Sequence, residues 1–154
     1  MILGIDPGLT GALAWLTREG HLIYIVDMPT ARIRDKPRII AAELARLLRT
    51  RPLDYVVIEQ VGPHRGEGSG GAFSFGYGAG LLEGVAAALE IPVHMASPAV
   101  WKRRAGVPKE KNGARMMACR YWPGATERFR RVKDDGRAEA ALLARWAALG
   151  GVQG

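Results

Sequence analysis

Three short apolar segments joined by tight turns open the chain, and they limit the folds it can adopt more than any other feature. The segments span residues 1–7, 12–17 and 21–26, with glycine-containing turns between them. Apolar runs of this length between turn residues are typical of β-strands, and such short connections join antiparallel neighbours. The sequence therefore predicts an antiparallel three-stranded meander at the start of the fold.

Helical and strand patterns alternate through the rest of the chain. Asp35 and Pro37 resemble a helix start, and apolar residues from Ile39 to Leu48 follow helical spacing. This order predicts one α/β domain over residues 1–154, with helices on both faces of a mixed five-stranded sheet. The other predicted strands are 54–59 and 92–95, and the other predicted helices are 72–89, 98–104, 114–122 and 134–149.

The charge balance points to a polyanionic partner. The chain of 154 residues has 22 Lys and Arg against 15 Asp and Glu, a formal charge of +7. Nucleic acid is the first expectation, although an acidic membrane surface or an arginine-rich coding bias would also explain the excess. No basic amphipathic helix with bulky aromatic residues supports the membrane alternative.

Cysteine content and hydropathy narrow the class of protein further. Cys119 is the single cysteine, which excludes an intramolecular disulfide and a cysteine-based zinc cluster. The N-terminus lacks the basic region of a signal peptide, and no apolar run approaches the length of a membrane span. We therefore expect a soluble cytoplasmic protein with no membrane partner.

Carboxylates stand where buried strands end. Asp6 ends the first predicted strand and Glu59 the fourth, so the two lie side by side if those strands are neighbours. Asp135 and Glu139 are four residues apart, which on a helix places their Cβ atoms about 6 Å apart on one face. Clustered carboxylates repel one another unless a cation lies between them. Such a site suits Mg²⁺ or Mn²⁺, and two ions about 4 Å apart would assist phosphodiester hydrolysis.

Each of these acids also has an ordinary structural interpretation. Asp6 could simply begin the following turn through its side chain, and Glu59 could be a surface residue at a strand end. Asp134 or Asp135 could cap the last helix, Asp134 being the better candidate, and Glu139 could be a solvated helix residue.

Five sequence stretches, in this order, resemble the RuvC-type Holliday-junction resolvases, especially the short phage-type members. They are GIDPGLTGALA, VVIEQV, FGYGAGLLEGVAAALEIPV, SPAVWKRRAG and DDGRAEAALLA, and together they cover nearly the whole chain. The resemblance implies an RNase H-like fold, a homodimer, and Mg²⁺-dependent cleavage of symmetric strands at a four-way DNA junction. It also implies a bacterial cell or a phage-infected host as the setting.

The family's metal ligands match this chain in part. The first two match Asp6 and Glu59, and the last matches Glu139. The bacterial family places another ligand three residues before the last, where this chain has Gly136. Asp135 is the nearest acid, so the choice between Asp134 and Asp135 stays open, with Asp135 favoured by its helical phase.

Basic and aromatic residues are candidates for DNA contact. Basic side chains position a nucleic acid through its phosphates, and exposed aromatic rings can stack on bases. Each of these basic residues could instead be an ordinary solvated charge, and the two phenylalanines could equally be core residues. The candidates are Lys102, Arg103, Lys109, Lys111, Phe73 and Phe75.

Other functions compete with junction resolution. An RNase H-like nuclease acting on RNA or on other branched DNA would share the fold and metals, and a non-catalytic nucleic-acid-binding protein would share the fold. GIDPGLTG also resembles the phosphate-binding turn of sugar kinases, actin and Hsp70. That superfamily needs two domains around the nucleotide, so we expect no nucleotide cofactor here.

Glycines at four-residue spacing mark the predicted helix at 72–89. They are Gly76, Gly80 and Gly84, and glycine is unfavourable in a helix unless something approaches closely. We expect this helix to be the contact surface of a homodimer. The alternative is that these glycines pack against the chain's own sheet.

Overall fold

The structure is a computed structural model that describes residues 1–60, 62 and 69–153. Most of the glycine-rich segment at 62–71 therefore lies outside the described residues. No helix in the described ranges is long and apolar enough to cross a membrane.

Five strands form one mixed sheet. They are β1 (Ile2–Asp6), β2 (Ala12–Leu16), β3 (Leu22–Asp27), β6 (Tyr55–Glu59) and β7 (Val93–Ala96), in the order β3-β2-β1-β6-β7. The first three pair antiparallel, whereas β1, β6 and β7 run parallel. The predicted meander and the predicted five-stranded sheet are both confirmed.

Helices cover both faces of the sheet, as predicted. On one face, α1 (Ala41–Leu48) and α2 (Ser69–Ala88) bury apolar residues against Leu3 and Ile5. On the other, α3 (Pro98–Arg104), α4 (Gly113–Tyr121) and α5 (Asp135–Ala148) pack against the alternate residues of the same strands. Strand side chains point alternately to opposite faces, so one short apolar strand contributes to both cores.

The predicted helix start at Asp35 and Pro37 is wrong. The chain instead forms a two-stranded hairpin, β4 (Thr30–Ile33) and β5 (Lys36–Ile39), and α1 begins only after Ile40. Arg34 and Asp35 form its two-residue loop with φ values of 48° and 62°, the left-handed conformation that favours tight hairpins. Ile39 is buried, but it is the last residue of β5 and not part of a helix. Its apolar side chain therefore extended the helical spacing of α1 falsely toward the N-terminus.

Close approach between β1 and α5 depends on Gly4. A Cβ at this position would overlap the carbonyl oxygen of Ala140 and lie 2.8 Å from the Cβ of Ala144. We expect Gly4→Ala to lower the free energy of unfolding by about 3 kcal/mol, because a packed core resists added volume. Urea denaturation measures this change.

Gly70 provides the matched control for that substitution. It lies in the first turn of α2, with open space where a Cβ would stand. Gly70→Ala should leave the free energy of unfolding unchanged or raise it by less than about 1 kcal/mol through helix propensity alone. Equal effects at the two glycines would contradict the packing argument.

Candidate active site

Two carboxylates meet at one edge of the sheet because β1 and β6 are parallel neighbours. Their register pairs Ile5 with Ile58, so Asp6 and Glu59 follow at the same edge. Strand alternation directs both toward the face covered by α5, where Gly4 and Val57 also point. The strands of Asp6 and Glu59 are therefore neighbours, which is the condition under which the two carboxylates were expected to lie side by side.

Asp6 lies in an environment that disfavours its charge. Burial, together with the nearby charge of Glu139 and a smaller effect of Glu59, raises the pKa of Asp6 to about 7. A hydrogen bond from the Gly8 backbone N–H to its Oδ1, at 3.3 Å, and the charge of Lys102 act in the opposite direction. Asp6 is therefore a carboxylate that an additional cation would stabilise strongly.

Glu59 is buried and held by an indole. Its side chain is 8% exposed, and the Nε1 of Trp101, on α3, donates a hydrogen bond to its Oε1 at 2.9 Å. Trp101 is itself fully buried. This hydrogen bond holds one oxygen of Glu59 in place, so the position of α3 sets the orientation of the carboxylate.

Lys102 lies among the carboxylates. Its Nζ is 2.8 Å from the Oε1 of Glu139 and 3.3 Å from the Oε1 of Glu59. Burial disfavours the ammonium, but the hydrogen bond and the charge of Glu139 outweigh that effect and raise the pKa of Lys102. The residue predicted to contact DNA thus serves, in this structure, as the cation that links β6 to α5.

Asp134 and Asp135 have separate partners. Asp134 is 1% exposed and accepts hydrogen bonds from the backbone N–H of Arg131 at 2.9 Å and from its guanidinium. Burial favours the neutral acid, but these bonds from Arg131 outweigh it and lower the pKa of Asp134. Asp135 is 46% exposed on its side chain and pairs with the Nε of Arg115 at 2.6 Å.

Gly136 is the residue of α5 that faces Asp6. A Cβ built on it would lie 2.8 Å from the Oδ2 of Asp6 and 2.8 Å from the carbonyl oxygen of Thr10. The helix therefore approaches the first carboxylate at the position three before Glu139, and a glycine is what allows that approach. Asp135 as a fourth ligand stays a prediction.

Substitutions separate the roles of the adjacent aspartates. Asp134→Asn should lower stability by about 1–3 kcal/mol, because a buried group that accepts charged hydrogen bonds loses its charge. Asp135→Asn should leave the melting temperature within a few degrees of the wild type, since the residue is half-exposed. It should nevertheless reduce the cleavage rate, by far more than the small change in stability explains. Thermal melts and single-turnover cleavage measure the two effects, and loss of activity only in Asp134→Asn would contradict the preference for Asp135.

The donor atoms of the site are of the chemical type that a hard divalent cation prefers. Asp6, Glu59 and Glu139 supply carboxylate oxygens, and the ammonium of Lys102 pairs with the last two of them. Across the described ranges, no group of three or more His, Cys, Asp or Glu side chains is arranged to hold a metal ion as it stands. The candidate site therefore combines suitable ligands with a lysine that neutralises part of their charge.

A cavity lined by basic and acidic side chains in equal number opens beside Glu139. It has a volume of about 370 Å³, and Lys102, Lys109 and Lys111 line it together with Glu110, Asp135 and Glu139. Lys109, Lys111 and Arg103 are exposed. Three of the four predicted basic contact residues thus share this cavity.

The two candidate stacking residues differ in exposure. Phe73 is 67% exposed on the outer side of α2. Phe75 is partly buried and lines a cavity of about 250 Å³ beside Pro7 and Leu9, next to the turn that follows Asp6. Only Phe73 offers a largely free ring.

Trp101 and Arg115 belong to the site although the sequence analysis gave them no role. Arg115 is buried, and its guanidinium joins Asp135 to Asn112 and to the backbone carbonyl of Arg130. A buried indole N–H needs an acceptor, so Trp101 directly before Lys102 was a usable signal for a nearby carboxylate. The pairing of Arg115 depends on how α4 packs against α5, which no local pattern indicates.

Comparison with known proteins identifies the fold. No family model matches the sequence, and no curated protein matches it either. The structure is similar to that of RuvC from Thermus thermophilus, with a TM-score of 0.62 and 20% identity over 97% of this chain and 96% of that one. It is also similar to Thermus thermophilus RuvC in complex with Holliday junction substrate, with a TM-score of 0.61 and 17% identity over 99% of this chain and 96% of that one. The chain therefore has the RNase H-like fold found in RuvC.

Proposed function

We propose that this protein is a metal-dependent, structure-selective endonuclease that resolves four-way DNA junctions by paired phosphodiester hydrolysis. The observation that carries the proposal is the ion pairing of Lys102 with both Glu59 and Glu139, close enough to Asp6 at the end of β1 for their charges to act on its carboxyl group. An acidic pocket in a chain with a formal charge of +7 suits a nuclease, since basic surfaces hold the DNA backbone and cations mask the acids. The similar RuvC fold, solved elsewhere with a Holliday junction, supports the substrate.

The chain's own residues have distinct tasks in this proposal. Asp6, Glu59 and Glu139, with Asp135 as the favoured fourth ligand, would hold Mg²⁺ or Mn²⁺, with two ions per site. When bound, they would supply Lewis-acid stabilisation of the attacking and leaving oxygens. Trp101 orients Glu59 through its hydrogen bond. Lys109 and Lys111 would bind phosphates along the cavity that leads to the carboxylates.

A homodimer would match the two equivalent strands of a junction. Gly76, Gly80 and Gly84 all have open space where a Cβ would point, so these three glycines do not pack against the chain's own sheet. Phe73 and Tyr77 are 67% and 49% exposed on the same helix. We propose α2 as the surface through which two copies associate.

A single large side chain on this helix tests the dimer. Gly80→Arg should convert a dimer to a monomer in sedimentation at micromolar concentration, because added volume and charge block close helix contact. It should also remove coordinated paired cuts, while single nicks persist. A wild-type protein that sediments as a monomer and still makes paired cuts would overturn the assembly.

Cleavage of defined substrates tests the function itself. Synthetic four-way junctions, flaps, linear duplex and an RNA–DNA hybrid are incubated with Mg²⁺ and, separately, with Mn²⁺. We expect symmetric cuts in the junction with either ion and little cleavage of linear duplex. Preferential cleavage of the hybrid or of flaps would instead favour a nuclease acting on RNA or on other branched DNA.

A further inference from the structure

The hairpin formed by β4 and β5 is strongly basic. We name residues 30–39 the basic ribbon. Its side chains include Arg32, Arg34, Lys36 and Arg38 against the single acid Asp35. The first three basic residues are exposed, and Arg38 is partly buried. Within the described ranges, no acid forms an ion pair with any of these four residues, although Arg32 donates a hydrogen bond to the backbone carbonyl of Asp35 at 2.9 Å.

The ribbon rises from the same sheet edge as the catalytic carboxylates. Asp27 at the end of β3 lies opposite Ala12, which lies opposite Asp6 in the antiparallel ladder. The backbone N–H of Met28 then donates to the carbonyl of Gly11 at 2.9 Å. The start of the ribbon is thereby tied to the turn that follows Asp6.

The base of the ribbon is anchored, whereas its tip is free to make contacts. Ile39 is buried, and its Cδ1 lies 3.5 Å from where a Cβ on Gly78 would stand. The Arg38 guanidinium lies 5.0 Å from the centre of the Tyr77 ring. Arg34 and Lys36, at the tip, are both exposed. Four-residue strands extend about 13 Å, from roughly 3.3 Å per residue.

We propose that the basic ribbon binds the phosphate backbone of the duplex DNA arm that leaves the active site. This inference rests on the proposed function and adds a contact surface outside the carboxylate pocket. A ribbon of about 13 Å reaches phosphates about four base pairs from the scissile bond, at roughly 3.4 Å per base pair. Its excess positive charge matches a polyanion, and Ile33 is too isolated an exposed apolar residue to form a protein-binding patch.

Charge-neutralising variants test the ribbon. Arg34→Gln/Lys36→Gln removes two charges at the tip, and Arg49→Gln/Arg51→Gln removes two at the opposite edge, where α1 ends before β6. The tip variant should lower the slope of log K against log salt by about 1.8 and weaken junction binding about tenfold or more at low salt. The control variant should keep the wild-type slope, and thermal melts check that both variants fold.

Neutral phosphates locate the contact on the DNA. Methylphosphonate groups placed about four base pairs from the scissile bond should weaken binding by the wild type and have little further effect on the tip variant. A wild-type slope in the tip variant would overturn the ribbon proposal alone. If the tip variant changes the sedimentation of the protein but not the salt slope, the ribbon proposal is also overturned. The ribbon would then contact another copy of the chain and not DNA. Failure of the wild type to bind or cut junctions at all would instead overturn the proposed function.

Discussion

Asp6→Asn should abolish cleavage while junction binding persists. The substitution removes a carboxylate from the proposed metal site but leaves the basic surfaces intact. Loss of metal-assisted stabilisation worth several kcal/mol lowers the cleavage rate by about a thousandfold or more. Single-turnover cleavage and gel-shift titration measure the two properties, and wild-type cleavage by the variant would show that the site is misplaced.

The same substitution should stabilise the metal-free protein above neutral pH. The pKa of Asp6 is about 7 in the folded chain, against an ordinary value of 3.8. Between these values the folded state holds a proton that the unfolded state releases, so stability falls as pH rises through this interval. Above pH 7 the full cost of the buried charge is present, and asparagine removes it.

The expected gain for Asp6→Asn at pH 8 is on the order of 2–4 kcal/mol, with no gain at pH 4. Urea denaturation in a chelating buffer measures it. Added Mg²⁺ should stabilise the wild type and not the variant, because only the wild type retains the full ligand set. Equal stability of both proteins at pH 8 without metal would contradict the burial argument.

The first three strands, and the places of Asp6 and Glu59 at strand ends, were predictable because their signals are local. Apolar runs and tight turns define β1, β2 and β3. The parallel pairing of β1 with β6, which brings the two strand ends to one edge, joins segments far apart in the sequence, and no local pattern indicates it. The helices α3 and α5 were predictable from the sequence in the same way as the first three strands, because proline, glycine and the spacing of apolar residues indicate where helices begin and end.

The basic ribbon and the partners of the long polar side chains were not predictable in this way. A two-residue loop of Arg34 and Asp35 lacks the glycine that usually announces a tight hairpin. Lys102 meets Glu59 and Glu139 only because α3 and α5 pack on the same face of the sheet. That meeting depends on packing distances between segments far apart in the sequence, which periodicity does not encode.

Lys102→Met should tighten Mg²⁺ binding and slow cleavage at the same time. The ammonium already contacts two of the proposed ligands, at 2.8 Å for Glu139 and 3.3 Å for Glu59. It therefore repels a divalent cation entering the same carboxylates, and its removal should tighten Mg²⁺ binding about tenfold or more. With Mg²⁺ held by these carboxylates, Lys102 would be free to stabilise the charge that develops on the scissile phosphate. Loss of that contribution should slow cleavage about 100-fold at saturating Mg²⁺.

Arg103→Met is the matched control, because Arg103 is the next residue of α3 and is exposed to solvent. It should weaken DNA binding modestly and leave both the Mg²⁺ affinity and the saturated cleavage rate near the wild type. Isothermal titration with Mg²⁺ and single-turnover cleavage measure these quantities in the two variants. If Lys102→Met binds Mg²⁺ no more tightly than the wild type does, the ammonium and the metal do not share the carboxylates. In that case Lys102 is a structural link between β6 and α5, and the metal lies elsewhere.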